Sequence, residues 1–398
     1  AGYNLDFFDD EVLQNLGKSD GGILSLGASK HRVVILPAIK RMPLASLKAI
    51  EKFATGGGIV ITVGSIPSIV PGFQITEAER SEFASVAERL FNGGRSNVRL
   101  ISSETELKAL LGSLLKPDVD FGGDGLDMGF VHRQTGDADI YFVANTSNQK
   151  RKLRLTFRTA QPAVQVWDAK QGTSSSPQTL ERDSGTTALS QDFEPYGSRV
   201  FVFSKQALPA NRHIADQETQ SIPLNGPWKL MLGDKVRDMS RLVSWTENRD
   251  DKYFSGVGRY ETSVEVPANV LGGANKVALD FGDGTPLEVI HPRNGMRTFY
   301  DPPIRESAVI YINGQKAGSL WSPPYRLDIS KFLNSGSNQI RIDVGNTALN
   351  YMSGRRLPDY KLLNLRYGER FQPQEMEKIH IEPSGILSPV RLRVFTQK

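Results

Sequence analysis

The chain has 398 residues, 39% of them hydrophobic and 23% charged, a formal net charge of +4 and no cysteine. That length allows two or three domains, each with its own core. The weak, scattered positive charge argues against a nucleic-acid partner. No apolar run approaches the roughly 20 residues that cross a bilayer, and the lack of cysteine excludes disulfides, thiolate metal sites and thiol nucleophiles. The opening residues AGYNLDF lack an initiating Met, a charged n-region and an apolar core. The start therefore reads as internal to something longer.

Residues 1–118 predict an α/β domain. The continuous apolar run at 32–37 has the composition of a strand covered on both faces. A helix follows from 42, with Leu44, Leu47, Ile50 and Phe53 three residues apart on one face. Gly56, Gly57 and Gly58 end it, and 59–63 is a second parallel strand. A helix over 78–91, a strand over 98–101 and a helix over 104–115 complete a doubly wound parallel pattern. The glycine cluster sits between a helix and the next strand, whereas a dinucleotide fingerprint lies between a strand and the next helix. It reads as a helix stop.

A Pro- and Gly-containing linker, 116–126, leads into a small antiparallel β-domain, 126–205. Its strands are predicted at 130–133, 140–145, 152–157, 163–167 and 199–203, with turns at 137–139 and 168–172. The polar stretch 206–221 reads as a second linker. Over 215–398 the pattern predicts a β-sandwich of jelly-roll type. Residues 259–266 and 340–344 alternate with period two, and 309–312 runs into Asn313-Gly314, suited to the positive φ angles of a type I′ hairpin turn. The proline-rich excursion 284–306 is a long loop, the usual place for binding on a rigid sandwich.

Local signals for chemistry are sparse. The five histidines form no close metal-ligand pair. No Gly-x-Ser-x-Gly elbow is present, so a hydrolytic triad is disfavoured. Glycoside hydrolysis needs two carboxylates flanking the bond, but no catalytic residue can be selected from 44 acidic residues. The eight-fold repeat of a catalytic (β/α)₈ barrel is absent. Asp280 to Asp283 and Asn346 are oxygen donors suited to a structural Ca²⁺, without EF-hand spacing; no other cofactor is expected. Sugar recognition combines an aromatic platform with hydroxyl-binding polar groups. The sandwich candidates are Arg297, Tyr300, Trp321, Tyr325, Arg326, Asn350, Arg355, Asp359 and Tyr360, with Asn294, His291, Arg293 and Arg356 nearby in sequence. Trp228 and Trp321 are weighed against a plain role in the core or a domain interface.

The order GVGRYETSVEVP, KVALDFGD, AVIYINGQKAGSLW and PPYRLDIS resembles the galactose-binding-like sandwich of family 2 glycoside hydrolases. The tail NTALNYMSGRRLPDYKLLNLRYGERFQPQ (346–374), with PSGILSPVRLRV (383–394), is similar to the C-terminus of family 106 α-L-rhamnosidases, and VHRQTGDADIYFVANTSN is similar to their small β-domain. The resemblance implies an amidotransferase-like α/β domain that, without cysteine, has no thiol amidotransferase activity. It further implies an accessory, non-barrel portion of a rhamnosidase-like enzyme, partnered by a catalytic barrel and by carbohydrate, in a periplasmic or secreted setting. The alternative is a free-standing carbohydrate-binding or scaffold protein.

Overall fold

A computed structural model describes residues 2–177, 179–206, 211–212, 216–272, 275–290, 298–355, 359–369 and 379–397. The chain forms two compact units, residues 1–120 with 156–158, and residues 121–155 with 159–398.

In the first unit a helix, Asp10–Leu16, is capped by Asp9, whose carboxylate accepts from the Val12 N–H at 2.8 Å. An antiparallel meander of Gly17–Asp20, Ile23–Leu26 and Ser29–His31 follows. Its strands, three or four residues long, are too short to carry a clear period and were not legible in the sequence. The parallel strands Val33–Leu36, Ile59–Val63 and Val98–Ile101 then lie side by side in chain order.

Each predicted helix of this unit forms: Leu44–Thr55, Glu77–Ala87 and Leu107–Leu114. Thr76 and Glu79 cap the second with reciprocal hydrogen bonds. Val34, Leu36 and Val60 pack against Phe53, Phe83 and Leu90 on one face of the sheet. Ile61, Val63 and Ile101 pack with Leu111 on the other. The middle strand is the most fully covered, with four of its five residues buried. The run at 32–37 is an edge strand with Ile35 exposed, which corrects the sequence expectation. The triple glycine is a helix stop: Gly57 has φ +96°, and a Cβ on Gly58 would lie 2.2 Å from the Phe53 ring.

The second unit holds two β assemblies. In the first, a six-stranded sheet runs Asn211–Arg212, Thr173–Ser176, Ala163–Asp168, Ser198–Ser204, Ala138–Asn145, Met128–Gln134. Its inner face buries Tyr141, Val143, Phe201 and Phe203. Strands Glu181–Asp183 and Thr186–Phe193 pair with each other in a smaller sheet with Arg151–Phe157.

The second assembly is the predicted sandwich. One sheet has the order Lys235–Met239, Trp228–Leu232, Val257–Val266, Gly336–Gly345, Ser307–Ile312, Gln315–Leu320. The other has the order Asp216–Pro223, Arg391–Gln397, Asn275–Asp280, Arg326–Asp328. Alternate residues such as Tyr260, Ile310, Ile342, Leu279 and Leu392 fill the space between them. Trp228 meets Tyr260 edge-to-face at 6.5 Å, a core role for that indole. The Asn313-Gly314 turn forms as predicted, with φ +50° and +79°. One expectation is corrected: the latter part of the polar stretch 206–221 is an edge strand, Asp216–Pro223, tied to the C-terminal strand by backbone pairing.

Candidate functional site

The predicted sugar-binding residues fall into unlike environments. Tyr300, on a short strand paired with Thr285–Pro286, is buried, and its hydroxyl accepts from the Gly284 N–H at 3.0 Å. Burial pushes both the Tyr300 and Tyr325 phenols up, and Tyr325 lies in the sandwich core. Asn350 is buried too. Its amide donates to Glu382 O at 2.9 Å and Ser384 Oγ at 3.0 Å, and its carbonyl accepts from the Glu382 N–H at 2.8 Å. Tyr300 and Asn350 are thus engaged in holding loops, and Tyr325 in the core.

The remaining candidates lie nearer the surface. Arg326 and Arg393 both place a guanidinium 5.2 Å from the Phe395 ring centre. Arg355 covers the Tyr351 ring at 4.2 Å, beside Gly354, where a Cβ would lie 2.6 Å from Tyr253. Asp359 accepts from the Lys361 N–H at 2.9 Å at the head of helix Lys361–Tyr367, next to the half-buried Tyr360. Trp321 is 64% exposed. Arg297, with Asn294, His291, Arg293 and Arg356, lies outside the described residues.

Trp321 belongs to a seam between the small β assembly and the sandwich that no local sequence signal announces. Lys170, in the turn after strand Ala163–Asp168, donates to Ser322 O at 2.5 Å and Pro323 O at 3.0 Å. Its ammonium lies 5.8 Å from the Trp321 ring centre. Burial lowers its pKa, against the pull of Asp168. Asn148 donates from one amide to both Leu287 O and Phe299 O at 2.7 Å. Lys150 bridges Asp283 at 3.1 Å and Glu194 at 3.5 Å, and the Phe299 N–H donates to the Tyr196 hydroxyl at 3.1 Å.

The outer face of the six-stranded sheet carries a second feature. Val131 is opposite Phe142, Phe142 opposite Val200, and Val200 opposite Trp167, so all four side chains share one face. Val131, Phe142 and Trp167 are 40%, 42% and 40% exposed. On the inner face, His132 stacks on Tyr141 at 4.0 Å and meets Asp139 at 3.2 Å. Asp139 also accepts from Thr159 at 2.6 Å and Gln134 at 3.1 Å. Burial alone would raise its pKa; these hydrogen bonds and the neighbouring His132 outweigh burial and hold it below the usual carboxylate range.

Of the Ca²⁺ donors, Asp280 is engaged by the Gly282 N–H and Arg393, and Asn346 by Phe254 O, Gly256 N–H and Ser384 Oγ. Among the described residues no group of three or more His, Asp or Glu is placed to hold a metal ion. Among them, too, no helix is long and apolar enough to cross a membrane.

Comparison with known proteins gives these features a context. A family model for glycoside hydrolase family 106, described as alpha-L-rhamnosidase, matches residues 1–178. Over those residues the chain is similar to the family 106 α-L-rhamnosidases. The match covers the α/β region and the first strands of the small β assembly, while the tail 346–374 that resembles the family in sequence lies beyond it. The structure of a rhamnosidase from Novosphingobium sp. PP1Y superposes with a TM-score of 0.71 at 24% identity, over 96% of this chain and 35% of that one. That likeness gives the fold. A putative beta-glucuronidase of Formosa agariphila is 30% identical over 190 residues, 47% of this chain and 16% of the relative. This chain thus spans a minor part of each of these relatives, and it is glycoside hydrolase-like.

Proposed function

We propose that this chain is an accessory, non-catalytic portion of an α-L-rhamnosidase-like glycoside hydrolase acting on rhamnose-containing glycans. In this reading its domains are an amidotransferase-like α/β domain, a small antiparallel β-domain and a galactose-binding-like jelly roll. Together they support a catalytic barrel elsewhere in the same exported protein.

The observation that carries the reading is the in-register row Val131, Phe142, Val200 and Trp167 on an outer sheet face. Outer faces of antiparallel sheets are ordinarily polar, and clustered exposed apolar side chains favour contact with another surface. The family match and the relatives' greater length favour the same parent protein as the source of that surface.

Hydrolysis of p-nitrophenyl α-L-rhamnopyranoside by the purified 398-residue chain and by the complete gene product tests the proposal. The expected result is turnover by the complete product and none by the chain. Turnover by the chain would place the catalytic carboxylates within it and overturn the accessory role.

A further inference from the structure

The seam at Trp321 has the chemistry of a saccharide subsite. An exposed indole offers an apolar face of the size of a pyranose ring, at low cost in conformational entropy. Beside it, Lys170 spends two of its three N–H donors on Ser322 O and Pro323 O, which fixes the ammonium in place. Among the described residues the third N–H has no acceptor. Asp168, two residues before Lys170, is already paired with Arg199 at 3.3 Å, so that carboxylate is neutralised by a guanidinium of its own sheet. Glu194, the other carboxylate acting on Lys170, is bridged by Lys150 at 3.5 Å, so among the described residues the Lys170 ammonium has no ion-pair partner of its own; it is held next to an aromatic plane and partly withdrawn from water. A partly desolvated cation with a spare donor favours an anionic oxygen over a hydroxyl, because charge-assisted hydrogen bonds are the stronger ones.

We propose that Trp321 and Lys170 form a subsite for an anionic pyranoside, its ring stacked on the indole and its carboxylate or sulfate accepting from the ammonium. This inference rests on the glycan-associated reading above. It adds a location and a substrate class: an acidic sugar held at the junction of the small β assembly and the sandwich. Because the ammonium comes from one assembly and the indole from the other, a ligand here would also brace the seam.

Titration calorimetry on the purified chain tests it with three probes. These are a glucuronate-containing oligosaccharide, the same oligosaccharide after reduction of its carboxyl groups, and a sulfated neutral oligosaccharide. The expected result is saturable binding of at least one acidic probe, with the reduced probe about tenfold weaker or worse. Binding of the uronate or the sulfated probe alone would identify which anion the site takes. Trp321→Ala is expected to weaken acidic binding by at least about tenfold. Lys170→Gln is expected to erase the difference between acidic and reduced probes, and Lys170→Arg to keep it. Melting curves of the Lys170 variants separate loss of the ligand contact from loosening of the seam, since the Gln and Arg variants can be compared at equal stability. The proposal is overturned if no acidic probe saturates, if the reduced probe binds as tightly, or if Trp321→Ala binds like wild type. Failure here with rhamnoside hydrolysis intact in the complete gene product removes this site alone. Loss of that hydrolysis with acidic binding intact removes the parent reading instead.

Discussion

The two six-stranded sheets of this protein each carry a four-residue row across their outer faces, mostly charged in one and apolar in the other. In the sandwich, Lys229, Glu261, Arg341 and Tyr311 are in register across four strands. Arg341 covers the Tyr311 ring at 3.7 Å, and Arg259 and Arg341 meet Asp343 at 3.1 and 3.5 Å. The other sheet carries Val131, Phe142, Val200 and Trp167 across four of its strands. Both sheets bury apolar side chains on their inner faces, and Val131, Phe142 and Trp167 lie outside those cores. A charged lattice suits a face that remains in water, and an apolar row suits one that is covered in the working protein.

Substitutions on the inner and outer faces of both sheets sharpen that contrast. The largest effect is expected inside the sandwich. Gly385 has φ +103°, and a Cβ there would lie 2.2 Å from the Tyr260 hydroxyl and 2.9 Å from Trp245. Gly385→Ala should cost about 3 kcal/mol or more, from backbone strain and overpacking together, read as a lower urea midpoint.

Inside the other sheet, Asp139→Asn should cost about 1–3 kcal/mol by breaking a buried hydrogen-bonded cluster. The Asp139 pKa is depressed in the folded state. Its contribution is therefore present above the unfolded carboxylate value near 4 and is lost as pH falls through the folded one. The gap between wild type and variant in urea melts should shrink below about pH 4; a gap that widens on acidification would show the opposite sign.

Effects on the outer faces should be smaller. A double-mutant cycle on Arg259 and Asp343 should return about 0.2–1 kcal/mol, falling with salt. Phe142→Thr in the isolated chain should cost no more than about 1 kcal/mol, since the ring is already partly in water and Thr suits a strand. A large loss in that chain would mean that the apolar row serves folding, and the contrast between the two sheets would collapse.

Much of the fold was legible because burial imposes a period. The alternation at 259–266 and 340–344, the Asn313-Gly314 turn and the helices at Leu47, Phe53 and Phe83 each carry their structure within a few residues. Asp216–Pro223 was not legible. It is polar apart from Ile222 and Pro223, and its partner Arg391–Gln397 lies at the far end of the chain, so no local pattern marks it. The candidate site was less legible than the fold. Residue type singled out Trp321, but the same reasoning singled out Tyr300, Tyr325 and Asn350, whose aromatic or amide chemistry is used up in the core and in loop attachment. Lys170 carried no signal at all, since its partners are carbonyls some 150 positions away. The apolar row required the register of four strands before its members became neighbours.

Hydroxyl-radical footprinting of the isolated chain and the complete gene product, read at both outer faces, tests the central claim most directly. The predicted result is protection of Phe142 and Trp167 in the complete product, with Tyr311 labelled equally in both. Equal labelling of Phe142 and Trp167 in the two proteins would contradict it, and would leave the apolar row without the covering surface proposed for it.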